Sequence, residues 1–173
     1  PLPEAYNDLS LVHKADYLRT YFMYHHGGGY ADIKMHKNSW KEAFDQLENS
    51  DAYALGYKEV GWWGVANQTI TEEPLKGDLN NYWRYLIGNC AYICRPYTKF
   101  TAEWYAETKR RVLEKANLLK ENSASNDNPF NTNKNYPIDW SYILGAVFHP
   151  LCLKYNKRLL YNNNIKPIFK DYR

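Results

Sequence analysis

The sequence predicts an α/β fold, a sheet covered by helices within one domain. Three observations carry this. Helical and strand periodicities alternate along the chain instead of segregating into halves. An amphipathic helix ended by glycines leads directly into a strand close to the start. Residues 86–94 form a near-continuous apolar run of strand length closed by Arg95-Pro96, the pattern of a buried strand. At 173 residues the chain is long enough for one domain with a sizeable core.

Taken in order, Leu11, Ala15, Leu18 and Phe22 recur at helical spacing and give the first helix one apolar face. Gly27, Gly28 and Gly29 stop it, because glycine takes the left-handed cap without a Cβ penalty. Tyr30 to Met35 then alternate as a strand, which puts Asp32 and Lys34 on one face. Residues 39–47 read as a helix with Ser39 and Glu42 as its capping box. Residues 52–57 alternate as a strand, and residues 60–76 read as loop with a short strand. The longest helix is expected over 98–120, with Phe100, Trp104, Val112 and Leu119 among its apolar positions. Residues 121–135 are dominated by Asn and Ser, which cannot build a core, and read as a mobile loop. Residues 139–155 return to helical character, interrupted at Pro150, and the tail reads as a short strand and an extended arm. No internal repeat is visible.

Composition narrows the function classes. The net charge of +3 comes without a basic stripe, which argues against a dedicated nucleic-acid binder and suits a small anionic ligand. Aromatic residues make up 17%, so rings either pack the core or form platforms for sugar or base faces. Cys90, Cys94 and Cys152 fit no metal-site spacing, and their odd count points to reduced thiols. No stretch has the length of a membrane span and no signal peptide opens the sequence, so the expected location is cytoplasmic.

The segment HKADYLRTYFMYHHGGGYADIK carries the chemistry. Lys14, Asp16 and Arg19 sit on the helix; Gly28, Gly29, Tyr30 and Asp32 follow the glycine stop. This arrangement resembles the sugar-nucleotide signature of GT-A fold glycosyltransferases, K-x-D-x-x-R, a helix, G-G-x-Y and then Asp-x-Asp, and is closest to small viral or bacterial polysaccharide-type transferases. Looser similarity runs on through GWWGVANQ, LIGNCAYICRP and PIDWSYILGAVFHPL. The resemblance implies a GT-A-like (Rossmann-like) mixed sheet. Such folds open with a βαβ unit, and this sequence opens with PLPEAYND; a truncated N-terminus is therefore expected. The resemblance further implies transfer of a hexose from a nucleotide-diphosphate sugar, UDP-linked such as UDP-glucose, to a glycan acceptor, assisted by Mn²⁺ or Mg²⁺. If the chain is viral, its location would be the host cytoplasm.

Asp32 is the first candidate. Transfer loads negative charge onto a departing diphosphate, a divalent cation stabilises that charge, and such cations want carboxylate oxygen. Lys34 stands where the signature has its second Asp. It has three readings: a direct diphosphate contact that weakens the metal requirement, a partner for Asp32, or a solvated strand lysine. Asp16 and Arg19, three apart on one helix face, read as an ion pair; the resemblance gives Asp16 to sugar or ribose hydroxyls and Arg19 to sugar or phosphate. Lys14, Gly29 and Tyr30 join them as substrate-binding candidates through the same motif. His149, in FHP, is a metal or phosphate candidate, and Asn89 lies near the donor sugar by the same resemblance. Asp139 is the candidate catalytic base, with Glu59 and Asp78 behind it; its other reading is an N-cap for the helix that follows. Trp63, adjacent to Trp62 in a glycine-flanked turn, either stacks on a sugar or anchors the core. A non-catalytic carbohydrate- or nucleotide-binding module is the competing function.

Overall fold

The computed structural model describes residues 2–124 and 133–170. Helix α1 (Leu11–His25) leads into strand β1 (Gly28–Ala31), followed by α2 (Lys41–Glu48), β2 (Ala54–Lys58), α3 (Glu73–Asn81), β3 (Ile87–Cys94), α4 (Lys99–Glu114), α5 (Ala116–Glu121), α6 (Gly145–Lys154) and β4 (Leu159–Tyr161). The strands form one mixed sheet in the order β1-β3-β2-β4. The apolar run at β3 pairs antiparallel with β1 and β2, and β2 pairs parallel with β4. Helices cover both faces, so the predicted mixed α/β sheet flanked by helices is present.

The period-2 rule sorts the sheet into two faces. Tyr30 and its register partner Tyr92 point to the side packed by Met23 of α1, Phe100 and Trp104 of α4, and Phe148 and Cys152 of α6. Ile93, on the opposite face with Leu55, packs against Ala43 and Leu47 of α2. Gly29 pairs with Ile93 and belongs to that second face. A Cβ there would come within 3.1 Å of the Trp40 ring and 3.2 Å of the Phe44 ring, so the bare backbone lets α2 lie close to β1.

Helix α1 is capped by Ser10, whose Oγ accepts the His13 N–H. It ends at the glycines, with Gly27 at φ +66° and Gly28 at φ +87°. Its orientation differs from the expectation. The stripe Leu11, Ala15, Leu18, Phe22 does not face the core: Leu11 and Phe22 are 49% and 48% exposed. His13, Asp16, Tyr17, Arg19, Thr20 and Met23 are buried instead. Both stripes have helical spacing; on the buried one Tyr17 and Met23 enter the core, His13 meets Tyr136, and Arg19 meets the Asn89 carbonyl and Asp16.

Other boundaries also move. Strand β1 begins within the glycines and stops at Ala31. Asp32 still donates its N–H to the Cys90 carbonyl (2.9 Å), and then the chain turns so that Lys34 N–H meets the Asp32 carbonyl (2.7 Å). The capping box at Ser39 does not form. Ser39 Oγ accepts the Lys41 N–H, while Glu42 accepts from the Asn164 side chain near the C-terminus. Residues 73–81, read as loop in their first part, are helix α3 with Pro74 in its first turn. The long helix breaks at Lys115 into α4 and α5, and Thr98 and Thr101 form a capping box at its start. Residues 140–144 are turns and α6 starts at Gly145 with Leu144 at its N-cap, so Asp139 is not its N-cap. Most of the expected mobile loop at 121–135 lies outside the described residues. Among the described residues no helix is long and apolar enough to cross a membrane.

Candidate functional site

The buried face of α1 and the turn after β1 bring the two halves of the motif together. Arg19 Nη2 lies 2.9 Å from Asp16 Oδ1 and 4.0 Å from Asp32 Oδ1, and its guanidinium sits 4.0 Å above the Tyr30 ring. Tyr30 stacks on Tyr92 beneath it, with ring centroids 5.3 Å apart. The Tyr30 hydroxyl donates to Asp32 Oδ1 (2.8 Å), and Lys34 Nζ donates to Asp32 Oδ2 (2.5 Å). Lys34 Nζ also lies 3.6 Å from Cys90 Sγ. Of the three readings of Lys34, the pair with Asp32 is the one present. The turn itself is anchored, since Met35 accepts the Ile168 N–H from the C-terminal segment.

Burial and charge set the electrostatics. Arg19, Asp16 and Lys34 have side chains that are 7%, 1% and 4% exposed, and Asp32 is the more open member at 20%. Burial pushes the Asp16 carboxyl up to about 6, against the pull of Arg19. Its contact with Arg19 is short but poorly aligned, so neither carboxylate oxygen has a hydrogen-bond donor among the described residues. Burial also pushes Asp32 up, but the bonds from Lys34 and Tyr30 and the charge of Arg19 outweigh it. They hold the Asp32 carboxyl below its ordinary range. Burial raises the Cys90 thiol pKa, which lowers its thiolate fraction.

Asn89 and His149 form the next layer. The Asn89 carbonyl accepts from Arg19 Nη1 (3.1 Å). His149 is fully buried; its Nδ1 accepts the Ala66 N–H (3.1 Å), so the ring proton sits on Nε2. Nε2 is 3.1 Å from the Asn89 amide and 3.5 Å from Glu59 Oε2. An amide turned with Oδ1 toward this N–H also satisfies the Asn89 oxygen, which has no other partner.

The remaining candidates are dispersed. Asp139 lines a separate hollow of about 260 Å³ with Ser10, His13, Tyr136 and Trp140. There the Ser10 N–H donates to the Tyr136 hydroxyl, which is 2.8 Å from His13 Nδ1, and His13 Nε2 faces the Trp140 carbonyl. Burial lowers the His13 pKa to about 4, so the ring is neutral and pins the 136–140 turn onto α1. Trp63 is 67% exposed, edge to face with Trp62; it does not anchor the core. Lys14 is half-buried and makes no side-chain hydrogen bond or ion pair among the described residues. A larger hollow of about 670 Å³ beside α4 and α6 holds none of these residues; of its carboxylates, Glu103 pairs with Lys154, Glu107 with Arg110 and Arg111, and Glu114 with Arg110.

Comparison with protein-family models, curated proteins and solved structures returns no match. The chemistry of the site must therefore be argued from its own geometry.

Asp32 and His149 fit a resident Mn²⁺ or Mg²⁺ poorly. Both Asp32 oxygens accept hydrogen bonds, one of them from a cation, and both His149 nitrogens are engaged. The described residues contain no group of three or more His, Cys, Asp or Glu that could hold a metal ion. Residues absent from the sequence reading also take part. Tyr92 supports Tyr30, and its signal was the strand alternation that makes the two cross-strand partners. Tyr136 beside His13 carries no local signal, and the spacing that makes Cys90 a reduced thiol does not place it beside Lys34.

Proposed function

We propose that the chain is a GT-A type glycosyltransferase that moves a hexose from a nucleotide-diphosphate sugar, UDP-linked, to a glycan acceptor. One observation carries this reading: Asp16, Arg19, Tyr30, Asp32 and Lys34, from two separate segments, converge on one cluster with Asp32 at its open side. A carboxylate whose oxygens lack donors, as Asp16's do, is suited to sugar or ribose hydroxyls. Arg19 and Lys34 supply positive charge where a departing diphosphate gathers negative charge. In the reaction the bond from the sugar anomeric carbon to the diphosphate oxygen breaks, and an acceptor hydroxyl oxygen bonds to that carbon. Its proton passes to a base and the nucleoside diphosphate leaves; Asp139, the candidate for that base from the sequence, lines a hollow separate from this cluster. Asn89 orients Arg19, His149 orients Asn89, and Gly29 seats β1 on α2.

The competing reading is a non-catalytic carbohydrate- or nucleotide-binding module. It draws on the exposed rings of Trp62, Trp63 and Trp140 and on the Asp32 charge being already paired. A thermal-shift screen of UDP-, GDP- and dTDP-sugars, each with and without Mn²⁺, separates the two. The transferase reading expects UDP and UDP-sugars to raise the melting temperature, and Asp32→Ala to remove that protection. Protection by free oligosaccharides alone would replace the enzyme with the module.

A further inference from the structure

We infer that one end of the sheet is a docking surface for an anionic phospholipid bilayer, built from exposed apolar side chains among cations of a single sign. The inference does not depend on the transferase reading.

The topology gathers four segments at that end. Gly28 of β1 and Ala54 of β2 both pair with Cys94, the last residue of β3, whereas Lys58 of β2 pairs with Ile87, its first. Strand β4 runs parallel to β2, with Tyr161 beside Gly56. Strands β1, β2 and β4 therefore finish where β3 begins. Hydrogen bonds tie the segments that leave or enter there. The Ile168 N–H reaches the Met35 carbonyl (2.9 Å), the Glu59 N–H the Leu86 carbonyl (2.9 Å) and the Tyr161 hydroxyl the Tyr85 carbonyl (2.7 Å). These segments display apolar groups to solvent. Ile33 is 101% exposed and Met35 74%, because Asp32 and Lys34 turn inward to each other and leave their neighbours outward. Trp62 and Trp63 are exposed in the turn after β2, and Phe169 is exposed beside Tyr57 on the C-terminal segment. Exposed apolar groups gathered in this way mark an interaction surface.

Charge selects the occupant. Residues 32–40, 58–66, 79–86 and 162–170 carry the exposed cations Lys37, Lys58, Arg84, Lys166 and Lys170. Their two acids are withdrawn, Asp32 into its pair with Lys34 and Glu59 into the interior. Lys58, Arg84 and Lys166 each lie over a ring, those of Tyr161, Trp83 and Phe169. Apolar tips flanked by indole rings and cations suit the boundary between acyl chains and anionic headgroups. A second copy of the chain fits worse, because a self-paired face would set these cations against one another. A neutral sugar fits the indole rings but gives Ile33, Met35 and the cations no role.

The test sediments the whole chain with vesicles of phosphatidylcholine alone and of phosphatidylcholine mixed with phosphatidylserine. The expected result is about tenfold stronger binding to the phosphatidylserine vesicles, weakened by added salt. Ile33→Ser/Met35→Ser and Lys58→Gln/Lys166→Gln should each lower that binding by about tenfold. Lys109→Gln/Lys120→Gln, on α4 and α5, should leave it unchanged. All six positions are exposed, so the variants keep the fold, which circular dichroism checks. The comparison of the two vesicles needs no variant. Absence of vesicle binding, equal binding to both vesicles, or equal loss in all three variants would overturn the inference. So would a single-stranded oligonucleotide that binds in place of the vesicles, or a dimer in sedimentation velocity that Ile33→Ser/Met35→Ser dissolves.

Discussion

The guanidinium of Arg19 lies over the Tyr30 ring, 4.0 Å from its centroid, while its Nη2 reaches Asp16 at 2.9 Å. One planar cation thereby joins a helix to a strand and neutralises a buried acid. Burial opposes its charge, and Tyr92, Asp16, Tyr30 and Asp32 more than restore it, so its pKa is raised.

Removing the cation strands the acid. Arg19→Ala is expected to cost about 3–5 kcal/mol, because Asp16 would remain buried and unpaired. The double variant Asp16→Ala/Arg19→Ala should cost less than the sum of the singles by about 0.5–3 kcal/mol. Urea denaturation of the four chains measures this. Strict additivity would mean that the pair is not coupled.

The Tyr30 hydroxyl is separable from the Tyr30 ring. Tyr30→Phe keeps the stack on Tyr92 and the contact with Arg19 but removes the bond to Asp32. A loss of about 1–2 kcal/mol is expected, since the acceptor is charged and partly exposed. Tyr30→Leu should lose clearly more in the same denaturation assay. Equal losses would reduce the ring to filler.

Two buried groups on α1 give opposite pH dependence. His13 titrates at about 4 when folded against 6.5 unfolded, so between these values the unfolded chain binds more protons. Its contribution is complete above 6.5 and is lost as the pH falls toward 4. Asp16 titrates at about 6 when folded against 3.8 unfolded, so the folded chain binds more protons there and stability falls as the pH rises. Each effect has a slope of at most about 1.4 kcal/mol per pH unit, and from pH 4 to 6 they oppose. Relative to the parent chain, Asp16→Asn should gain stability with rising pH over 4–6, and His13→Gln should lose it. Parallel pH profiles of denaturation midpoint for all three chains would refute both assignments.

Two glycines should respond to alanine with opposite signs. A Cβ on Gly88 would lie 2.1 Å from the Tyr57 ring, which is itself 1% exposed. Gly88→Ala is therefore expected to destabilise by about 1–3 kcal/mol through overpacking. Gly77, in helix α3, has nothing within 4 Å of its Cβ position, and Gly77→Ala should stabilise by about 0.5–1 kcal/mol. Melting temperatures of the two variants should move apart.

Local sequence was informative wherever one signal governed the outcome. The glycines at 27 and 28 take positive φ, and the apolar run at β3 becomes an inner strand of the sheet; Asp32 and Lys34 meet through a turn and not through the expected strand, which stops at Ala31. Where two local signals compete, contacts distant in sequence decide between them. The spacing of α1 allowed two stripes, and hydrophobicity favoured the one that ended in solvent. Ser39 and Glu42 had the composition of a cap, but Asn164, 122 residues away, engages the glutamate.

The candidate site divides along the same line. Residue types and spacing were enough to nominate Asp16, Arg19, Tyr30, Asp32 and Lys34, because a helix, a glycine stop and an extended segment are short-range consequences of the chain. Whether the Lys34 charge met solvent, ligand or Asp32 could not follow from spacing. It depended on the turn after β1, the hydrogen bond from Ile168 and the packing of α1 with its polar face inward. Those contacts join segments far apart in sequence, and burial energies that no single segment carries select among them.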